Sequence, residues 1–571
     1  MEFIQKKTAD SAVERFLAKA AESELSLVWD RYEGQLPECG FCETGLSCRD
    51  CLQGPCISHP FRDSNKVGVC GKDKDILAIQ SLLRLVLKGT MVYLDRLSDL
   101  AKGVESGEVK PKNKGKTDRI LKEVQSLLIN GGGQIKKELP KSFIRCWEET
   151  GIIPEGVARD LFKASQKLEG GMTDPEETLL WAFKSSLLGW MAYWLQGSLK
   201  RSVFGEYPPT KIEVNLGVLR REIPNLLLYG YFSPILKHKI AEEAKKKGVH
   251  VTGVCTDPLI PPFLFPQVTN YGSQEIPLMT GAVDLIVVGD QFVNPSLVKI
   301  AREWEVPVVP TEVLKKEKDL GRFAREIVEG AKKSFNFRRN ISRDIPETKE
   351  YALMGFSREN VDVKKIVGAL NKGRIKGIVI LSGSNNVKYT QDQEILTMSQ
   401  EFLKNDILCI SKGEASVTLA KYGLLNPVWR EKNCSKGLSS VLSSLGKEIP
   451  SVLDFGDGSL VDFLFDIAKA GKKELKDYPI VACFPEANRN SEVTEALWTV
   501  AMGISTYFWP SLPVTGSLRV MEALTKFCKE KFGSKLNVIT EKKIDARAKA
   551  NLVLKALRGE EDFSMSGKPW K

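Results

Sequence analysis

Residues 37–56 read PECGFCETGLSCRDCLQGPC, and with Cys70 in GVCGKD (68–73) they gather half of the chain's twelve cysteines into one short stretch. The start of the chain, Met1 to Lys7, has no apolar core of the kind an export signal needs, so the expected compartment is the reducing cytoplasm, where disulfides rarely persist. Thiols spaced C-x2-C-x5-C-x2-C-x4-C-x13-C then read as metal ligands. A structural zinc site uses four ligands, usually from two knuckles. Six thiolates are too many for one such site and too few for two. Cys48, Cys51, Cys56 and Cys70, with Gly54 and Pro55 to turn the loop, suit a [4Fe–4S] cluster that takes one thiolate per iron. Cys39 and Cys42 remain as a pair. They complete a cluster only if a second copy supplies two more thiols, so the pattern predicts a homodimer sharing one intersubunit cluster across its twofold axis.

Outward from this loop, 571 residues exceed what a single core organises, and 42% hydrophobic with 27% charged residues is the balance of a globular protein. The net charge of +11 is spread along the chain, with runs at 110–116 (KPKNKGK) and 338–343 (RRNISR). Solvated basic loops account for these runs, so no nucleic-acid partner is expected, and an acidic redox partner of ferredoxin type suits the charge. The best candidate for a membrane span, Thr178 to Leu199, is interrupted by Lys184. It reads as a buried helix with Asp174 as N-cap and Pro175 at its first position, and no span is expected.

Apolar residues recur at helical spacing over 75–100, 117–128, 140–150 and 176–199. After Pro208 the pattern changes to short apolar runs between helices: NLLLY (225–229), HVTGV (250–254), DLIVVG (284–289) and PVVP (307–310), then GIVILSG (377–383), DILCIS (406–411), SVLDFG (451–456), PIVACF (479–484) and ISTYFW (504–509). Such runs predict parallel sheets covered on both faces. The fold class expected is α/β: a helical domain (1–208) whose cluster loop spans 37–70, then two doubly wound, Rossmann-like domains (209–345 and 346–571). Neither α/β half carries a phosphate-binding glycine motif, so a nucleotide site has no support.

In combination, the cysteine loop, the helical domain and the two doubly wound domains resemble the anaerobic nickel–iron carbon monoxide dehydrogenase family, which shares a superfamily with the hybrid-cluster proteins. The likeness covers nearly the whole chain and includes EVNLGVLR (213–220), TGAVDLIVV (280–288), NPSLVKIA (294–301), SNNVKYTQDQ (384–393), PVTGS (513–517) and KFGSKLNV (531–538). The resemblance implies that Cys48, Cys51, Cys56 and Cys70 hold a [4Fe–4S] cluster, and that Cys39 and Cys42 share the intersubunit cluster. Their close spacing is similar to members with [2Fe–2S] there, [4Fe–4S] being the alternative.

The family's active-site nickel–iron–sulfur cluster is held by one histidine and five cysteines. Here the matching positions read Tyr231, Cys255, Phe292, Ser384, Glu414 and Gly458 or a neighbour of it, so a single thiolate is kept. Tyr93 and Arg96 stand where the family has proton-relaying histidines, and Arg519 matches its catalytic lysine. His59, His238 and His250 are the only histidines, and none falls in an expected pocket. Phenylalanine and glycine donate nothing to a metal, and a neutral serine is a poor ligand beside sulfide, so nickel is not expected. The reading that follows is an iron–sulfur protein that transfers or stores electrons, its carbon monoxide chemistry lost. The alternatives are an oxidoreductase with a remodelled pocket, its catalytic candidates Cys255 and Glu414, or a working carbon monoxide dehydrogenase; the plainer reading of Glu414 is a solvated carboxylate or one ion-paired with Lys412. Cys409 and Cys483 read as small buried hydrophobes, and Phe292 and Trp498 as filling for the vacated space.

Overall fold

A computed structural model describes residues 6–59, 66–130, 137–169, 174–311, 319–456, 458–538 and 544–560. Residues 60–65 of the expected cluster loop lie outside them.

The helix Pro175–Phe204 is the spine. Asp174 caps it by accepting from the Glu177 amide, Pro175 occupies its first turn, and Glu176 and Glu177 complement the dipole there. Leu187, Leu188, Trp190, Met191 and Leu199 are fully buried and point in different directions around the axis, so it is a core helix. Lys184, also buried, is neutralised by Asp160 at 3.2 Å and by Glu155. Beside the spine runs Lys74–Glu105, capped by Asp73. Of the described helices this one, rather than the one starting at Pro175, is long and apolar enough to cross a membrane, but most of it is packed inside the protein. Its Gly89 permits close approach to the helix Asn490–Ala501, since a Cβ there would stand 2.2 Å from the Asn490 carbonyl oxygen. One and two turns further on, the same face presents Tyr93 and Arg96.

The second sheet, Val452–Asp454, Ile407–Ser411, Gly377–Leu381, Ile480–Phe484, Ser505–Phe508 and Leu536–Val538 in spatial order, is parallel throughout. Numbered along the chain, its order is 3-2-1-4-5-6, the doubly wound arrangement, with a switch point between Gly377–Leu381 and Ile480–Phe484. The first sheet runs Val308–Pro310, Leu285–Val288, Asn225–Tyr229, His250–Val254, Gln267–Thr269, Thr210–Val214 and Glu350–Met354. Its switch point is Asn225–Tyr229, which lies between the strands that precede Cys255 and Phe292. All nine strands expected from sequence are present. The last strand, Glu350–Met354, pairs antiparallel with Thr210–Val214, so the first sheet is mixed and draws on a segment beyond residue 345.

The amino-terminal segment also departs from expectation. Helix Ser11–Glu22 does not join the helical domain; Val13, Phe16 and Ala20 pack into the core of the first sheet with Leu216, Met279 and Ile300. Thr8 bridges to Gln391, and Lys421 lies between Asp10 (2.6 Å) and Asp392 (2.7 Å), all three side chains being buried. Asp392 also accepts from Asn270, Asn385 and Tyr422. A buried charge is tolerable only when paired and hydrogen-bonded in this way. Adjacent Glu486 takes the amides of Glu394 and Ile395 on one oxygen and Asn385 on the other. Burial, reinforced by the Asp392 charge, pushes its carboxyl up to about 8.

Two outcomes are expected. Lys421→Met leaves two carboxylates facing each other and lowers stability by about 3–5 kcal/mol, read from urea-unfolding midpoints. Glu486 keeps its proton in the folded protein to about pH 8, against an ordinary value of 4.5. Between these pH values the folded state binds the extra proton, so this group's contribution to stability falls as pH rises. Glu486→Gln removes that dependence, and the variant gains on the wild type in midpoint between pH 5 and pH 8.

Candidate functional site

Both sheets direct the carboxyl ends of their strands at one cavity of about 180 Å³, closed on its third side by the two long helices. In the first sheet, the strand Asn225–Tyr229 ends at Gly230 (φ 73°), where a Cβ would lie 2.2 Å from the Gln291 carbonyl oxygen. Only glycine admits the contact that follows, in which the Tyr231 amide donates to that carbonyl at 3.1 Å and sets Tyr231 beside Phe292. Cys255 (φ 56°) and Phe292 (φ 66°) are left-handed although neither is glycine. Such conformations cost of order 1–3 kcal/mol each and cluster at functional sites.

The centre is a five-layer stack. The Arg96 guanidinium lies between the rings of Tyr231 (4.3 Å) and Phe292 (4.6 Å), and that of Arg489 between Phe292 (3.9 Å) and Tyr271 (4.7 Å). Arg96 Nε donates to Gln291, whose amide in turn donates to Asp95 at 3.0 Å. The Cys255 thiol donates to Glu414 Oε2 (3.3 Å), which also accepts the Tyr271 amide at 3.0 Å; Arg489 reaches the same sulfur at 3.8 Å. Burial pushes the Cys255 thiol well up, and the Glu414 charge adds to this. Burial also raises the Glu414 and Glu492 carboxyls, against the pull of Arg489. Ser384 donates to Glu492 at 2.7 Å.

Four of the six positions singled out from sequence, Tyr231, Cys255, Phe292 and Glu414, thus meet directly or through the two arginines, and Ser384 joins them only by way of Glu492. Gly458 does not: it is the left-handed N-cap of the helix Ser459–Gly471, against the Trp194 backbone, and Gly456 faces the cavity in its place. Glu414 is not partnered by Lys412, which pairs with Glu495 at 2.7 Å. Trp498 is buried against Tyr93 (4.9 Å) and Tyr193 (5.9 Å), while Phe292 is only half-buried. Arg519 is exposed near Asp75 and does not line the cavity, nor does any histidine. Arg489, Glu492, Tyr271 and the Lys200–Asp257 pair (2.9 Å) were missed by the sequence reading. Arg489 follows the switch-point strand PIVACF, and that position was the available signal.

The cysteine loop lies elsewhere. Cys48 and Cys56 face each other across the short antiparallel pair Ser47–Cys48 and Cys56–Ile57, and the Val69 amide donates to Cys56 Sγ at 3.5 Å, next to Cys70. Cys39 and Cys42 are exposed at the helical turn Gly40–Glu43, and hydrogen bonds from Cys42 hold the Cys39 thiol below its ordinary pKa. Leu46 packs under the PVTGS segment, whose Gly516 amide donates to Thr44. Among the described residues no three His, Cys, Asp or Glu side chains converge on a single metal ion. An iron–sulfur cube, with one thiolate at each iron, has its sulfurs spread around it and is not a single-ion site of that kind.

The layered α/β architecture and the paired sites define a class, and the profile of the Prismane/CO dehydrogenase family matches residues 46–130 and 130–543. The chain belongs to that family. It is 28% identical over 637 residues to carbon monoxide dehydrogenase 2 of Carboxydothermus hydrogenoformans, covering 99% of each, and 29% identical over 619 residues to carbon monoxide dehydrogenase 1 of Methanosarcina mazei, covering 97% of each. It superposes on the structure of carbon monoxide dehydrogenase IV from C. hydrogenoformans with a TM-score of 0.90 at 28% identity, covering 97% of this chain and 99% of that one.

A desolvated guanidinium–ring contact is worth up to about 2 kcal/mol. Phe292→Leu removes two and is expected to lower stability by about 1–3 kcal/mol, read as a shift in urea-unfolding midpoint.

Proposed function

We propose that this protein is a cytoplasmic iron–sulfur electron-transfer or electron-storage protein, a homodimer in which the carbon monoxide chemistry of the family has been lost. The observation that carries this reading is the stack of Arg96 and Arg489 among Tyr231, Phe292 and Tyr271, at the positions where the resemblance puts the nickel cluster. Those positions do not fit such a cluster. Phe292 and Gly458 offer no donor atom, the Tyr231 hydroxyl is engaged with Gln196 and the Arg96 carbonyl, and the Ser384 hydroxyl is given to Glu492. Two guanidinium cations in the same space oppose metal ions by charge as well as volume.

The amino-terminal thiols fit iron–sulfur groups: Cys48, Cys51, Cys56 and Cys70 would hold a [4Fe–4S] cluster, and Cys39 and Cys42 with their counterparts in a second copy an intersubunit [2Fe–2S] cluster. When bound, these groups supply reversible one-electron chemistry. The chain's own contribution is to position them. Leu46 and the Thr44–Gly516 hydrogen bond fix the loop to the third domain, and the exposed Cys39–Cys42 turn gives a redox partner of ferredoxin type a point of approach.

The contact between Cys255 and Glu414 favours a second reading, an oxidoreductase with a remodelled pocket acting on a different small substrate.

Metal analysis of anaerobically purified protein tests the proposal. The expected content is about ten irons per dimer with no nickel, and no reduction of a viologen dye by carbon monoxide. Cys51→Ser is expected to cost about eight of those irons and Cys39→Ser about two. Stoichiometric nickel with carbon monoxide oxidation would overturn the reading.

A further inference from the structure

The stack leaves donors without acceptors. The Arg96 Nε is satisfied by Gln291, but its two terminal nitrogens have no hydrogen-bond acceptor, and no carboxylate lies within 4.0 Å of it, among the described residues. Arg489 Nε is buried and also unpartnered. Buried donors in native proteins are nearly always satisfied, by protein, water or ligand, a rule that bears on Arg489 Nε; Arg96 itself is half-buried and lines the cavity. The other cations of the cavity are already matched: Lys200 with Asp257 at 2.9 Å and Lys412 with Glu495 at 2.7 Å. Neither arginine has a carboxylate within 4.0 Å among the described residues: the opposing charge nearest in effect to Arg96 is Asp257, already held by Lys200, and those for Arg489 are Glu414 and Glu492.

The walls add a second constraint. Pro258, Leu259 and Met354 give one side an apolar surface, while the arginines hold another. A volume of about 180 Å³ falls below the ~300 Å³ at which drug-sized sites begin.

We propose that this cavity binds a short-chain organic carboxylate, its two oxygens taken by the Arg96 guanidinium and its hydrocarbon body set against Leu259 and Met354. A planar guanidinium fork matches a carboxylate in a bidentate manner, which a lysine cannot do. Phe292 and Tyr231 hold the fork from both faces, so little freedom is lost when the ligand arrives. The inference rests on the reading above that side chains, and not a metal cluster, fill the centre.

The test is calorimetric titration of the anaerobically purified, cluster-containing protein with acetate, propionate, butyrate and succinate, and separately with inorganic phosphate. One-to-one binding of at least one carboxylate is expected, and Arg96→Gln should weaken it by at least about tenfold, the equivalent of one charge-assisted hydrogen bond. Arg96→Lys should recover only part of the loss. The visible absorption of the iron–sulfur groups reports whether each variant has folded. Leu259→Phe narrows the apolar side while leaving the stack in place; it should weaken the longer acids and spare acetate. Absence of binding by any carboxylate, binding by phosphate alone, or unchanged affinity in a folded Arg96→Gln variant would each overturn the proposal. Stoichiometric nickel would overturn both this and the preceding reading, whereas nickel-free protein that binds no carboxylate overturns this one alone.

Discussion

Parallel strands deliver their loops, and whatever chemistry those loops carry, at their carboxyl ends, and here two sheets deliver them to the same point. That convergence is the constraint on which the rest of the molecule depends. The two sheets and the two long helices meet around a small volume ringed by strand ends and polar side chains. Whatever occupies it must satisfy directional groups from all sides without leaving charge unbalanced in a medium where imbalance is costly. Arg96 and Arg489 meet much of that demand through ring faces, the Gln291 amide oxygen and the Cys255 sulfur. The left-handed backbone at Cys255 and Phe292 shows how firmly the surrounding strands dictate the geometry, since neither side chain favours it.

The centre also separates fold from chemistry. The strands that end at Tyr231, Cys255 and Phe292 are held by ladders of backbone hydrogen bonds and by buried aliphatic residues, for example Leu226, Leu228 and Val287. The ladder bonds run between main-chain atoms, so they do not depend on which side chains face the cavity. A set of metal-ligating side chains can therefore give way to an aromatic and guanidinium set without disturbing either sheet, which is why overall similarity to relatives of known activity says little about what this cavity does.

Much of the fold was legible in the sequence because its central strands are uninterrupted aliphatic runs, such as GIVIL and NLLLY, buried on both faces. Thr210–Val214 and Glu350–Met354 were not, because they form the antiparallel margin of a sheet and carry Lys211, Glu213 and Glu350 on a partly wet face. Gln267–Thr269 and Leu536–Val538 are too short to show a period. At the site, the amino-terminal thiols announce themselves, since few other patterns explain so many cysteines so close together. Arg489, Glu492 and Tyr271 have no motif at all. They become functional only through a crevice that tertiary structure creates, and Arg489 acts by stacking, which leaves no trace in residue spacing.

The anchoring of the first residues by Lys421 carries a consequence for how the molecule is made. Asp10 and Thr8 find their partners on a segment that leaves the ribosome roughly 20–80 s after them, at about 5–20 residues per second. Throughout that interval the amino-terminal arm has no seat for its buried aspartate. The PVTGS segment that braces the cysteine loop emerges later still. The braced shape of the cysteine loop therefore belongs to the nearly complete chain, since the Gly516 amide that holds Thr44 does not exist before then.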